Sequence, residues 1–189
     1  MTDSSNMLNL LEDLLAKAKA KGADAADAVH IESQSLAVAQ RLSNPEKLER
    51  SESADIGLRA LVGKRQAIVS SSDIGTDALD ELVERVVAMA KSVPEDLYCG
   101  IADPNQLATE IVDVESCDPN EPTAETLVDW ANRAEESARA IEGITNSEGA
   151  EAGWGRATVS VAATNGFAQT YSGSHYSLSA SVLAGEGTA

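Results

Sequence analysis

Two histidines, two cysteines and several serine-rich stretches are the side chains of this 189-residue chain best suited to chemistry. A zinc centre needs three or four converging ligands. His30 is followed by Ile31-Glu32 and His175 by Tyr176-Ser177, so neither opens an HExxH helix, and both read as ordinary strand residues. Serines are plentiful at Ser70–Ser72 and between Ser172 and Ser181. A serine nucleophile needs an activating base, however, and no GxSxG elbow is present to present one. Cys99 and Cys117 lie in acidic connector sequence, a poor setting for a thiolate nucleophile. Gly153-Trp154-Gly155-Arg156 reads as a hairpin turn, because no helix opens after it to cradle phosphate. Gly63-Lys64-Arg65 reads as a basic turn without the spaced glycines of a P-loop. On these residues the chain carries no self-sufficient catalytic or metal site, and any activity is completed by polypeptide outside it.

The formal net charge is −17. Such a surface repels nucleic acid and anionic membranes, keeps the chain soluble and steers basic partners toward it. Hydrophobic residues make up 43% and aromatics only 3%, which excludes a disordered chain and predicts a core of small aliphatic side chains. The N-terminus has no basic stretch, and Glu12 and Asp13 interrupt the apolar residues behind it, which argues against a secretory signal. No stretch is long and apolar enough for a membrane helix. Two cysteines outside any CxxC pair fit a reducing compartment, and the expectation is cytoplasmic.

Positioning such side chains requires helices and strands, and the periodicities supply both. Met7, Leu8, Leu11, Leu14, Leu15 and Ala18 recur at helical spacing, with Asp3, Ser4 and Ser5 as candidate caps and Gly22 as the stop. Ala28–Ile31 predicts a strand, Ser33-Gln34 a turn, and Leu36–Leu42 a second strand. Lys47–Ser53 predicts a solvated strand, and Ile56–Val62 turns through Gly63-Lys64-Arg65 into Gln66–Ser70 as an antiparallel meander. Thr76 reads as the N-cap of a second helix that stops before Pro94. A third helix runs from about Thr123 to Ile141, with Trp130 on its apolar face as a core residue. The last third returns to strands at 144–152, 157–163 and 167–183, with Asn165-Gly166 as a hairpin turn. The order favours an α+β fold, with antiparallel or mixed sheet and three main helices packed on it. The expected division is a first domain over 1–95, an acidic Pro-containing connector over 96–122, and a helix plus strands over 123–189 that pack separately or with the first part.

Two segments together resemble a known family. One is Asp55-Ile56-Gly57-Leu58-Arg59-Ala60-Leu61-Val62-Gly63-Lys64-Arg65, followed by Ser71-Ser72-Asp73 and the helix from Thr76. The other is Ile144-Thr145-Asn146-Ser147-Glu148-Gly149-Ala150, then Thr164-Asn165-Gly166-Phe167 and Ser177–Gly185. In order and spacing they are similar to the N-terminal part of the TldD/PmbA family, across nearly the whole chain. The residues carrying the likeness are Gly57, Arg59, Gly63, Lys64, Asp73, Asn146, Ser147, Glu148, Gly149, Asn165 and Gly166.

The resemblance implies a subunit of a heteromeric zinc peptidase acting on unfolded peptides, also known under the label modulator of DNA gyrase. The segments look more like the PmbA branch, called TldE, than like the TldD branch, which carries a zinc-binding helix downstream. No family zinc or catalytic residue maps onto this chain. The resemblance thus implies a non-catalytic fragment, no cofactor within it, zinc in the intact complex on the partner subunit, and a homo- or heterodimer with a TldD/PmbA-family subunit. Two alternatives stand beside it, the leading part of a catalytic TldD-like subunit and a stand-alone protein-interaction domain.

Overall fold

A computed structural model describes residues 4–185. The elements run α1 (Ser4–Ala20), β1 (Ala25–Arg41), β2 (Asn44–Val62), β3 (Arg65–Ser71), α2 (Thr76–Ser92), α3 (Ala124–Arg139), β4 (Ile144–Ala163) and β5 (Ala168–Ala184), with a single 3-10 turn at Pro104–Gln106 in the connector. The strands form one sheet in the order β3-β2-β1-β4-β5. Neighbours run antiparallel: Leu58 pairs with Val69 across β2 and β3, and Thr164 donates to Ala26 O where the end of β4 meets the start of β1. The fold is α+β, with three helices and an antiparallel sheet.

Several sequence expectations change. Ser33-Gln34 is not a turn but the middle of β1, and Lys47–Ser53 is continuous with Ile56–Val62 in β2. A tight hairpin needs residues in left-handed backbone, which Ser33 and Gln34 do not adopt; Leu42 (φ 52) and Ser43 (φ 63) do, and the chain reverses there. Gly153-Trp154-Gly155 is likewise no turn but lies inside β4. The glycines serve close approach: a Cβ on Gly155 would stand 2.3 Å from the His175 ring, and one on Gly153 would stand 2.8 Å from Ser177 Oγ. The cap of α2 is Gly75, and Thr76 is the first helical residue. Of the candidate caps of α1, Asp3 lies outside the described residues and Ser4 and Ser5 are already helical. The turns at Gly63-Lys64 and Asn165-Gly166 form as read, with Gly63 (φ 59) and Gly166 (φ 95) in left-handed backbone.

The described residues fall into two compact units. The first takes the residues up to Glu32, Ser53–Val114 and Thr158–Ser172; the second takes Ser33–Glu52, Glu115–Ala157 and those from Gly173 on. In the first, α1 and α2 set Leu11, Leu14, Leu79, Leu82, Val83 and Val86 against Ala26 and Ala28 of β1 and Ile56, Leu58 and Ala60 of β2. The alternation of β1 and β2 puts those residues on one face, and the three- and four-residue spacing of the helices meets it. In the second unit, α3 sets Leu127 and Ala131 against Leu36 and Val38 of β1 and Ala150, Ala152 and Trp154 of β4. Trp154, 2% exposed, is the large core residue here. Trp130, expected in the core, packs against this cluster but is half-buried, and it meets Tyr176 edge-on. No helix among the described residues is long and apolar enough to cross a membrane.

Candidate functional site

The family-like residues divide between the two units. In the first, Arg59 donates through Nε to Asp27 Oδ2 at 2.9 Å and through Nη1 to Gln66 Oε1 at 3.3 Å. Gly57 leaves room for Val29, whose Cγ1 lies 3.3 Å from where a Cβ would stand. The Gly63 N–H donates to Asp24 Oδ2, and Lys64 extends Nζ toward Cys99 O while its own carbonyl accepts from Asp96. Asp73 Oδ1 accepts from the Gly75 N–H and so shapes the entry to α2. Asn165 bridges the Phe167 N–H and Ala102 O across the β4–β5 turn. Each contact ties a turn or a strand together, and none aims a reactive group into a cavity.

In the second unit, Asn146-Ser147-Glu148-Gly149 builds something different. Ser147 is fully buried; its hydroxyl donates to Glu135 Oε1 at 2.5 Å and accepts from the Gly149 N–H at 2.9 Å. Glu135, 1% exposed on α3, also accepts from the backbone N–H groups of Leu42 at 2.9 Å and Ser43 at 3.4 Å. Arg41 Nε donates to Ser147 O at 3.0 Å. One carboxylate therefore pins the left-handed β1–β2 turn and the start of β4 to one helix. Burial works to raise its pKa; the Leu42 N–H, the Ser147 hydroxyl and the Ser43 N–H together outweigh burial and hold it below the ordinary carboxylate value. Gly149 (φ 106) completes the arrangement, since a Cβ there would stand 2.6 Å from Gln40 O. A hydroxyl so enclosed reaches no substrate, and the network positions backbone. Sequence reading did not find Glu135, although its spacing from Leu127 and Ala131 puts it on the apolar stripe of α3, where a charge signals a buried partner.

Two openings lie in the second unit. One, of about 280 Å³, is lined by Glu46, Glu148, Glu151, Gly149, Ser179 and Ser181 among others. The other, of about 370 Å³, lies between α3 and β5 and is lined by Trp130, Arg133, Ala134, Ser137 and Leu178. Among the described residues no group of three or more His, Cys, Asp or Glu side chains converges to hold a metal ion, so these residues do not fit a zinc centre. His30 is buried in β1 and His175 is exposed on β5.

Comparison with known proteins places the chain. Residues 26–90 match the model described as PmbA/TldA metallopeptidase domain 1, and residues 117–189 match the PmbA/TldA metallopeptidase central domain. Metalloprotease PmbA homolog of Haemophilus influenzae is 31% identical over 79% of this chain and 34% of its own length. Metalloprotease PmbA of Escherichia coli O157:H7 is 27% identical over 91% of this chain and 38% of its own. The chain thus spans little more than a third of the curated relatives it matches. In fold it is similar to a Bacteroides thetaiotaomicron protein described as a candidate modulator of DNA gyrase, with a TM-score of 0.88 at 21% identity over all of this chain and 44% of that one. TldE from Thermococcus kodakarensis superposes with a TM-score of 0.76 at 16% identity over 94% of this chain and 40% of its own. Two consecutive domain models, which together span most of the sequence, and the sequence relatives agree: the chain belongs to the PmbA/TldD metallopeptidase family.

Proposed function

We propose that this chain is the leading region of a PmbA-branch subunit in a zinc-dependent peptidase of the cytoplasm. In this reading the subunit works as a homo- or heterodimer with another TldD/PmbA-family subunit on unfolded peptides, and this region is non-catalytic by itself. The observation that carries the reading is similarity over most of the chain to two proteins named for PmbA metalloprotease. The zinc and the groups that cleave the peptide bond then belong to polypeptide outside these residues, and no step of hydrolysis is assigned to them. What these residues would offer is binding surface: among the described residues β5 is the last strand of the sheet, and backbone pairing along such a strand holds an extended peptide with little regard to its sequence. A charge of −17 argues against nucleic acid as the partner.

The test combines metal analysis with a peptidase assay. The chain alone is expected to hold no stoichiometric zinc and to leave an unfolded protein substrate intact. Addition of a TldD-type subunit is expected to give chelator-sensitive cleavage and a complex on size-exclusion chromatography. Tightly held zinc and chelator-sensitive cleavage by the chain alone would overturn the reading.

A further inference from the structure

We draw no further inference here: the strongest candidate, the opening of about 280 Å³ in the second unit lined by Glu46, Glu148, Glu151, Ser179 and Ser181, is an acidic cluster at which nothing among the described residues identifies a ligand.

Discussion

The two units solve the same problem, a helix layer on one face of antiparallel strands, with different means. In the first, two helices bury a broad aliphatic core, and its family-like residues serve the turns around that core. In the second, a single helix covers a smaller apolar cluster centred on Trp154, and a buried carboxylate completes the packing by gathering three donors from a turn and a strand. An apolar core tolerates approximate complementarity. A buried carboxylate does not, because each partner it loses remains buried and unsatisfied. The second unit is thus the more specified of the two, and it also carries the opening between α3 and β5.

Substitutions at four positions sharpen or break that comparison. Leu82→Ala, at a fully buried position of α2, is expected to cost about 2–5 kcal/mol through lost burial and the cavity left behind. Both tryptophans, Trp130 and Trp154, belong to the second unit, so circular dichroism follows this loss in all secondary structure while tryptophan fluorescence reports the second unit alone. Coincident shifts of both signals would show one cooperative transition and confine the comparison to packing.

Glu135→Ala is expected to cost about 2–3 kcal/mol by stranding the Leu42 and Ser43 N–H groups and the Ser147 hydroxyl. Its pH dependence has a definite sign. The folded pKa lies below the unfolded value of about 4.3, so the stabilisation is complete above that value and is lost as pH falls through the folded pKa. Urea unfolding followed by tryptophan fluorescence is expected to show this acid sensitivity in the parent chain and a reduced one in Glu135→Gln. An unchanged acid profile in Glu135→Gln would remove the carboxylate from its assigned role.

Gly149→Ala is expected to cost about 1–3 kcal/mol, because it combines left-handed backbone with a Cβ pressed on a backbone oxygen that cannot swing aside. Thermal unfolding measures it directly. Arg59→Ala, in the first unit, is expected to cost less than about 1 kcal/mol, since the ion pair with Asp27 is nearly a third exposed on each side. A larger loss there would mean that the first unit also depends on a specified polar contact.

The helices were legible because their apolar residues repeat at three and four with few interruptions; Leu79, Leu82, Val83, Val86, Val87 and Ala90 are all buried as their spacing predicts. The turns at Gly63 and Asn165-Gly166 were legible because left-handed backbone favours glycine, and the Asn165 side chain accepts from the Phe167 N–H two residues on. The β1–β2 turn was hidden for the opposite reason: Leu42 and Ser43 adopt that backbone without glycine, in a segment whose N–H groups Glu135 holds. Trp130 is half-buried and packs against the core cluster, not within it, because helical periodicity identifies a face and not the depth to which it is covered, and Trp154 is core because Gly153-Trp154-Gly155 continues β4 where a turn was expected.

Sequence by itself determined the α+β class, the three helices, the family and the lack of any local motif for metal or nucleophilic chemistry, since each of these depends on residues near one another along the chain. Tertiary structure alone decided that Ser147 meets Glu135, that Ser33-Gln34 lies within β1 and not at a turn, and that β5 is the last strand of the sheet among the described residues. The physical reason is the same in each case: hydrogen-bond partners and solvent exposure are set by segments distant in sequence, and local pattern carries no record of them.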